Sequence, residues 1–531
     1  MGRLRTALTV AAVVGGVVLV DLVLAGDAPL PRDTDHQVLV VRSTFDHGTD
    51  GWQALGPADV RRTDNAARAG EGSLLVVDRS EPWNGAQLDI TDLVVPDRTY
   101  RVSVWARLAP DAEPADLQLT VERSAGGTQH FDHLVRRTVT SREWVELGAQ
   151  YTMPAGTGQA RLYLESLDSV ADLLLDEVRV SHEAPPIQED LPALRDVLAD
   201  RFDVGVAVGP QDLAGPSGLL VRRHFGAVTP ENAMKPAWIQ PLEGELSFEA
   251  SDQVTDFAVI HGLDVHGHTL VWHRSTPDWF FTGPDGQDLT SSPQDQELLL
   301  SRLETHTRAV AEHLRERYGD DDPVRSWDVV NEAIDPTQPD GLRRSRWYDV
   351  LGPDYLAHAF RIADEAFPEA ALFLNDYDTD YPGKRRAMAQ VVQDLLDQGV
   401  PIDGVGHQLH VNLDRPVERI GQTLDELASL GVRQAVTELD VALAAPGRPG
   451  SGLPTPELLE EQAAYYGQVM DLLVARSADI DTVSVWGVHD GRSWLRTWRE
   501  SRRLEAPLLF DDELQAKPAF WAVVESAREA R

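Results

Sequence analysis

Residues 294–332, QDQELLLSRLETHTRAVAEHLRERYGDDDPVRSWDVVNE, decide the fold. They read as a helix over Gln294–Tyr318 followed by a strand over Ser326–Glu332, and the alternation continues on both sides. Further strands are expected at Phe202–Val208, His224–Thr229, Leu263–Val271, Ala371–Asp378, Gly404–His410, Val432–Val441 and Ile480–Asp490. Helical stretches lie between them, among them Leu356–Ala366, Arg386–Gln398, Glu418–Leu430 and Pro456–Val474. Eight strands alternating with helices predict a (β/α)8 TIM barrel over residues 191–531. An open doubly wound sheet would need a glycine-rich phosphate turn after the first strand. Gly205-Val206-Ala207-Val208-Gly209 does not provide one. Pro446–Gly452, rich in glycine and proline, reads as a loop after the seventh strand.

Upstream the pattern is different. Short alternating segments at Ser73–Val77, Tyr100–Trp105, Leu117–Val121, Ala160–Glu165 and Leu173–Val180 are separated by Gly, Asp and Pro clusters. They predict an antiparallel β-sandwich over residues 38–181, joined to the barrel by a linker over 182–190 that contains Ala184-Pro185-Pro186. At the start, Arg3 and Arg5 precede an apolar run from Thr6 to Val20, short of the ~20 residues that span a bilayer. Residues 1–28 therefore read as a secretory signal, with a linker over 29–37. The expectation is a secreted, extracellular protein; an uncleaved N-terminal anchor is the alternative.

Composition narrows the function. The 531 residues are 42% hydrophobic and 25% charged, which excludes wholly disordered, collagen-like and polytopic membrane classes. The net charge of −38 repels phosphate backbones, so no nucleic-acid partner is expected. The absence of cysteine excludes disulfides, thiolate metal sites and cysteine nucleophiles.

In such barrels the active site lies at the carboxyl ends of the strands. The fourth strand ends Trp327-Asp328-Val329-Val330-Asn331-Glu332 and the seventh Thr437-Glu438-Leu439-Asp440. Two glutamates there face each other across the barrel mouth. Cleavage of a glycosidic bond needs one carboxyl to protonate the leaving oxygen and a second to attack the sugar carbon or activate water. Neighbouring strand ends carry Glu231-Asn232-Ala233-Met234-Lys235, His266-Gly267-His268-Thr269-Leu270-Val271-Trp272-His273, His407-Gln408-Leu409-His410 and Trp486-Gly487-Val488-His489-Asp490, with Trp494 beyond. These are hydrogen-bonding groups for sugar hydroxyl edges and indoles for C–H faces.

With these motifs in order, residues 191–531 resemble glycoside hydrolase family 10, the retaining endo-1,4-β-xylanases. The resemblance implies cleavage of xylan and xylo-oligosaccharides by double displacement, without a cofactor. Glu332 resembles the general acid/base and Glu438 the nucleophile. Asn331 would bond the 2-hydroxyl of the attacked sugar. Gln408 and His410 share a strand face by period two, and His410, steadied by Asp440, would orient Glu438. Glu231, Asn232, Lys235, His268 and Trp272 resemble binding groups, with Trp486 and Trp494 as walls and Asn375 and Tyr377 lining the opposite groove. Ser275, Asp378 and His489 depart from the family pattern and leave subsite preference open. No protein partner is implied, and a monomer is expected.

The first domain resembles a carbohydrate-binding module of family 22, on Phe45-Asp46-His47-Gly48-Thr49-Asp50-Gly51-Trp52, Arg79, Trp83-Asn84-Gly85 and Leu162-Tyr163-Leu164-Glu165. Arg79, Trp83, Phe131, Tyr163 and Glu165 match cleft positions; Trp52 and Trp105 are assigned to the core. Asp46 and Asp176 resemble ligands of a structural calcium. Rival readings are a metal-dependent hydrolase built on His266 and His268, a non-catalytic polysaccharide binder, and a family member acting on aryl glycosides or β-glucans.

Overall fold

The computed structural model describes residues 37–46, 48–91, 93–183, 185–443, 454–496 and 505–529. The expected signal or anchor over 1–28, most of the linker that follows it and the Pro446–Gly452 loop lie outside the described residues.

Eight parallel strands close into a barrel: β1 (Asp203–Val208), β2 (Ala227–Pro230), β3 (Asp264–Trp272), β4 (Val324–Asn331), β5 (Ala371–Asp376), β6 (Gly404–His407), β7 (Arg433–Ala442) and β8 (Ile480–Val485). Each pairs with its sequence neighbours, β8 returns to β1, and β6 pairs with β7 from Gly404↔Arg433 to His407↔Val436. Helices α1 (Gly215–His224), α2 (Glu249–His261), α3 (Pro293–Tyr318), α4 (Tyr355–Ala366), α5 (Pro382–Asp397), α6 (Val417–Ala428), α7 (Pro456–Val474) and α8 (Pro518–Glu529) follow the strands in turn. The strands are covered on both faces, which explains near-continuous apolar runs such as Val204–Val208. α3 shows how a helix of this ring is specified. Ser292 accepts from the Asp295 amide, Pro293 opens the first turn, and Leu299, Leu303, Val310 and Leu314 recur on the buried stripe. Gly267 is fixed by close approach, since a Cβ there would lie 2.4 Å from the buried Trp327 ring.

Three strand limits differ from the sequence reading by three residues or more, the others by one or two. His224 closes α1, so β2 begins only at Ala227. β8 stops at Val485, before two short 3-10 turns at Asp490–Arg492 and Trp494–Arg496. The sixth strand does not run through to His410. It breaks after His407, Leu409 takes a left-handed φ of 51°, and a separate short strand, His410–Asn412, pairs with β7 at Asp440–Ala442.

Residues Gln37–Glu183 form two antiparallel sheets. One runs in the order 59–63, 73–77, 173–183, 99–108, 145–152, with 37–43 also on 173–183; the other is 53–55, 85–89, 157–166, 115–125, 128–139. Leu74, Val104, Leu117, Leu119, Leu162 and Leu164 are among the residues buried between them. The last strand includes His182 and Glu183, which the sequence reading gave to the linker. Trp52 is core, and its Nε1 donates to Ser43 Oγ at 3.0 Å. Trp105 is not: it alternates to the outer face of its sheet, where the Arg68 guanidinium lies 3.7 Å from its ring. Beyond the sandwich the chain is fastened to the barrel, with the Ala516 amide donating to Gln188 Oε1 at 2.9 Å.

Candidate active site

Glu332 directly follows β4 with a left-handed φ of 59°. Its amide donates to the Asn375 carbonyl at 2.8 Å, and the Glu332 carbonyl accepts from Arg343 Nε at 2.7 Å. A non-glycine residue in this region is strained and persists where its surroundings fix it. Glu438 projects from β7 and is buried. A ladder of amides joins the two carboxylates. Gln408 Nε2 donates to Glu332 Oε1 at 3.4 Å and to Asn331 Oδ1 at 3.2 Å. Asn375 Nδ2 lies 3.1 Å from the same Asn331 oxygen and 2.8 Å from Glu438 Oε1. Thr437 Oγ1 donates to Asn375 Oδ1 at 2.7 Å and fixes which way that amide faces. Asn331 Oδ1 is thus committed to the protein.

The other Glu438 oxygen, Oε2, lies 3.1 Å from His410 Nε2, while His410 Nδ1 lies 2.9 Å from Asp440 Oδ2. Trp494 Nε1 donates to that Asp440 oxygen at 2.8 Å. Burial alone would lower the His410 pKa, but Asp440 and Glu438 outweigh it and push it up to about 10. His410 is therefore an imidazolium at neutral pH, donating to both carboxylates. The opposite holds for His273, whose Nε2 is 3.9 Å from Glu332 Oε2. Burial, with Arg343, Arg274 and Lys384 nearby, brings it down to about 4, so it is neutral beside Glu332. Lys235 Nζ donates to Asn232 Oδ1 at 3.0 Å and sits 4.8 Å from the Trp272 ring centre. Burial lowers its pKa, against the opposing pull of Glu438, Glu231 and Glu332. Burial raises Glu231, opposed chiefly by Lys235 and Arg492. Trp486 meets His268 edge-on at 5.5 Å and His410 at 6.1 Å, joining both sides of the floor.

The structure brings the expected barrel residues together, with two corrections. Asn375 does not line the groove. It is 0% exposed, and its amide is spent on Asp328, Asn331, Thr437 and Glu438, which makes it a support beneath the carboxylates. Gln408 and His410 do reach Glu332 and Glu438, but through the turn at Leu409 rather than by alternation along one strand. Tyr377 stays half-buried at the rim, where its hydroxyl accepts from Arg343 Nη2 at 2.8 Å. Of the departures, Asp378 accepts from Arg415 at 2.9 Å, Ser275 offers its carbonyl to the Ala237 amide at 2.9 Å, and His489 is half-buried, with desolvation bringing its pKa down to about 4. The sequence reading assigned no role to Asp328, Thr437 or Arg343. Asp328 lay inside a quoted motif, but nothing in its spacing says that it points inward.

In the sandwich, Trp83 is 49% exposed and Phe131 53% exposed. Tyr163 is only 5% exposed yet lies outside the core cluster. It is in register with Gln87 and Thr120 on the outer face, beside Glu165 and Gln118. These positions form an open polar face with aromatic edges. Arg79 does not belong to it. It is 6% exposed, and its guanidinium donates to the carbonyls of Asn84, Ala171 and Pro82, so it pins loops and offers nothing to a ligand. Asp46 Oδ1 accepts from the Glu71 amide at 2.6 Å, and Asp176 accepts from the Arg68, Ala69 and Glu177 amides. Both carboxylates thus close on the loop 68–71. Two carboxylates already accepting N–H donors do not by themselves make the about 6–8 oxygens that Ca2+ takes.

Among the described residues one trio, His268, Asp328 and Glu438, brings its polar atoms within 4.8 Å. It is a hydrogen-bonded network rather than a ligand set. His268 Nδ1 and Asn375 Nδ2 already address Asp328 Oδ2, and Asn375 and His410 already address Glu438. His266 turns to the other Asp328 oxygen at 3.0 Å, so the two histidines flank a carboxylate and do not share a metal position.

The match to known proteins follows the two halves. Residues 193–526 match the family model described as glycosyl hydrolase family 10, and residues 37–170 match one described as carbohydrate binding domain. Endo-1,4-beta-xylanase A of Thermoanaerobacterium saccharolyticum is 38% identical over 92% of this chain and 42% of its own length. Exoglucanase XynX of Acetivibrio thermocellus is 36% identical over 93% of this chain and 46% of its own. The chain therefore spans less than half the length of these curated relatives. Among solved structures, an intracellular xylanase from Thermoanaerobacterium saccharolyticum, a glutamate-to-alanine mutant bound to xylotetraose, is 40% identical. It covers 64% of this chain and 99% of its own, with a TM-score of 0.58.

Proposed function

Because the chain belongs to glycosyl hydrolase family 10, we propose that it is an endo-acting, retaining hydrolase of the β-1,4-xylosidic bonds of xylan. The observation that carries this reading is the amide ladder Gln408–Asn331–Asn375, which joins Glu332 to Glu438 across the ends of β4 and β7. Glu438, oriented by His410 and Asn375, attacks the anomeric carbon while protonated Glu332 gives its proton to the departing oxygen. The C–O bond to the leaving chain breaks and an ester to Glu438 forms. Glu332, now ionised, takes a proton from water, which attacks the same carbon and releases Glu438. Asn331, its oxygen already committed, would offer Nδ2 to the 2-hydroxyl. Glu231, Asn232, Lys235, His268 and Trp272 would hold the sugars on the non-reducing side. No cofactor enters these steps.

The test is a product profile on xylan, carboxymethylcellulose and aryl xylobiosides, with the anomer followed by NMR before mutarotation. Internal cleavage of xylan with net retention is expected; inversion, or release of single end units only, would reject the reading. A second reading, β-1,4-glucan, is favoured by the relative named an exoglucanase and is decided by the carboxymethylcellulose arm.

We further propose that the sandwich binds xylan through Trp83 and Phe131 with Tyr163 and Glu165, as the family 22 resemblance implies. An exposed stacking platform contributes on the order of 1 kcal/mol. Trp83→Ala is therefore expected to weaken retention on xylan affinity gels about five-fold, with hydrolysis of xylotriose unchanged. Unaltered retention would remove Trp83 from the face. Calcium at Asp46 and Asp176 is part of the same proposal. If it is bound, EDTA lowers the Tm of the full chain and added Ca2+ restores it; a Tm indifferent to both would end this idea. We also propose that the chain acts as a monomer outside the cell after removal of residues 1–28. N-terminal sequencing of protein from culture medium checks the cut.

A further inference from the structure

The reaction proposed above leaves one buried charge unused. Asp328 is 0% exposed beneath the site, and its Oδ2 receives both His268 Nδ1 (2.8 Å) and Asn375 Nδ2 (3.1 Å). One of these groups is assigned to the sugar, and the other holds Glu438 at 2.8 Å. Both are oriented by Asp328 as acceptor; burial would raise its pKa, but His266 and His268 outweigh burial and bring it down to about 2, so the acceptor is a carboxylate. A lone carboxylate at such depth would take up a proton.

The compensating group comes from below. His266 Nε2 lies 3.0 Å from Asp328 Oδ1, and His266 Nδ1 lies 2.6 Å from Ser326 Oγ. Nδ1 is hydrogen-bonded to Ser326, while Nε2 and Asp328 Oδ1 lie at ion-pair distance without completing a hydrogen bond, so a charged ring is held there by its attraction to the carboxylate. Behind the ring is a cavity of about 110 Å³ at the floor of the barrel, lined by His266, Ser326 and the strand-start charges Asp203, Asp264, Arg325, Arg433 and Asp481. It has room for several waters. Arg433 pairs with Asp481 at 2.5 Å and Arg325 with Asp264 at 3.4 Å, which leaves a surplus of negative charge facing the histidine. Phe373 covers the ring from the side at 6.0 Å.

The geometry points to His266 as a positioning residue. It is an imidazolium, reached by solvent from the floor of the barrel, that keeps Asp328 ionised and so keeps Asn375 and His268 aligned on the nucleophile side of the site. This rests on the family 10 reading of Glu438. Asp328, with a smaller contribution from Glu438, holds the His266 pKa above its ordinary value against the effect of burial. The imidazolium is therefore held to higher pH than that of a free ring, and is lost as pH rises through that raised value. Because the cavity lies on the face away from the cleft, bound substrate does not block this titration. Its limb is expected in kcat as well as in kcat/KM.

Three full-length proteins, wild type, His266→Gln and His266→Arg, test the inference on an aryl xylobioside with a good leaving group. His266→Gln is expected to lower kcat about 10–100-fold, as a misplacement near 1 Å does, with KM changed less than about three-fold. His266→Arg, a cation that does not titrate, is expected to recover kcat to within about five-fold and to remove the alkaline limb assigned to His266. Equal kcat and unchanged pH profiles in all three would overturn the inference, even if Tm fell. Should His266→Gln fail to fold, ¹⁵N-histidine NMR of the wild type still decides. Both nitrogens of His266, assigned by their loss in His266→Arg, must be protonated at pH 7; a neutral ring there refutes the proposal. If the wild type cleaves no xyloside at all, the family reading fails instead, and the NMR result stands apart from it.

Discussion

Glu438→Ala is expected to lower turnover on xylan and on activated aryl xylosides alike by roughly 10⁵-fold, the scale seen when a covalent nucleophile is deleted. The substitution removes the atom that bonds to the sugar, so a better leaving group cannot help. The surroundings should survive it. His410 keeps Asp440 at 2.9 Å, and Asn375 keeps Asp328 and Asn331, so the pocket loses one partner rather than its framework. The check is kcat from reducing-sugar release and chromophore release, beside an unchanged circular dichroism spectrum. A loss of less than about 10²-fold would mean that Glu438 is not the attacking group. His410 gives a second signature. Its folded pKa of about 10 lies above its unfolded value. The stabilisation it brings is complete below the ordinary value of about 6.5 and fades as pH rises through its folded value. Removing Glu438 takes away one of the two charges that raise it, so that alkaline loss should begin at lower pH in the variant.

Glu332→Ala should divide substrates by leaving group. On xylan, where the departing sugar alkoxide needs a proton, turnover should fall about 10³–10⁴-fold. On a dinitrophenyl xylobioside the first step needs no acid and should proceed near its normal rate. The ester on Glu438 should then accumulate, because no base remains to activate water, and a burst followed by a slow steady state is expected. Azide needs no base. It should raise the steady-state rate and appear in the product as a β-xylosyl azide of retained configuration. The void is local, since Glu332 holds its turn through backbone atoms, its amide to Asn375 and its carbonyl to Arg343, and alanine keeps both. No azide adduct, or one of inverted configuration, would overturn the assignment of acid/base to Glu332.

The barrel and its two glutamates were legible because strand-helix alternation is periodic and because Asn331-Glu332 and Glu438 fall at strand ends, where position alone implies a role. What the sequence hid was direction. Asn375 ends a strand as Glu332's neighbour does, but nothing in a linear pattern tells a side chain pointing into the groove from one pointing beneath it. Asp328 was concealed for the same reason. The break at Leu409 was missed because a leucine rarely takes a left-handed φ and gives no local signal. In the sandwich, Thr128–Val139 escaped notice as a strand. It is an edge, with Asp132, His133, Arg136 and Arg137 along it, so its hydrophobic alternation is faint. Arg79 was misread as a ligand group because its motif is a sound one, but for holding loops.

The bridge between Glu332 and Glu438 consists of side-chain amides, and amides neither gain nor lose a proton at any pH the fold survives. They pass on orientation and act as an insulator for charge. A proton arriving on Glu332 has no bonded conductor to Glu438, so the two groups feel each other's ionisation through space alone. Each chemical step should therefore move a single proton, counted as one in a solvent isotope inventory. Asn375→Asp would replace the insulator with a third ionisable group in contact with both Asp328 and Glu438.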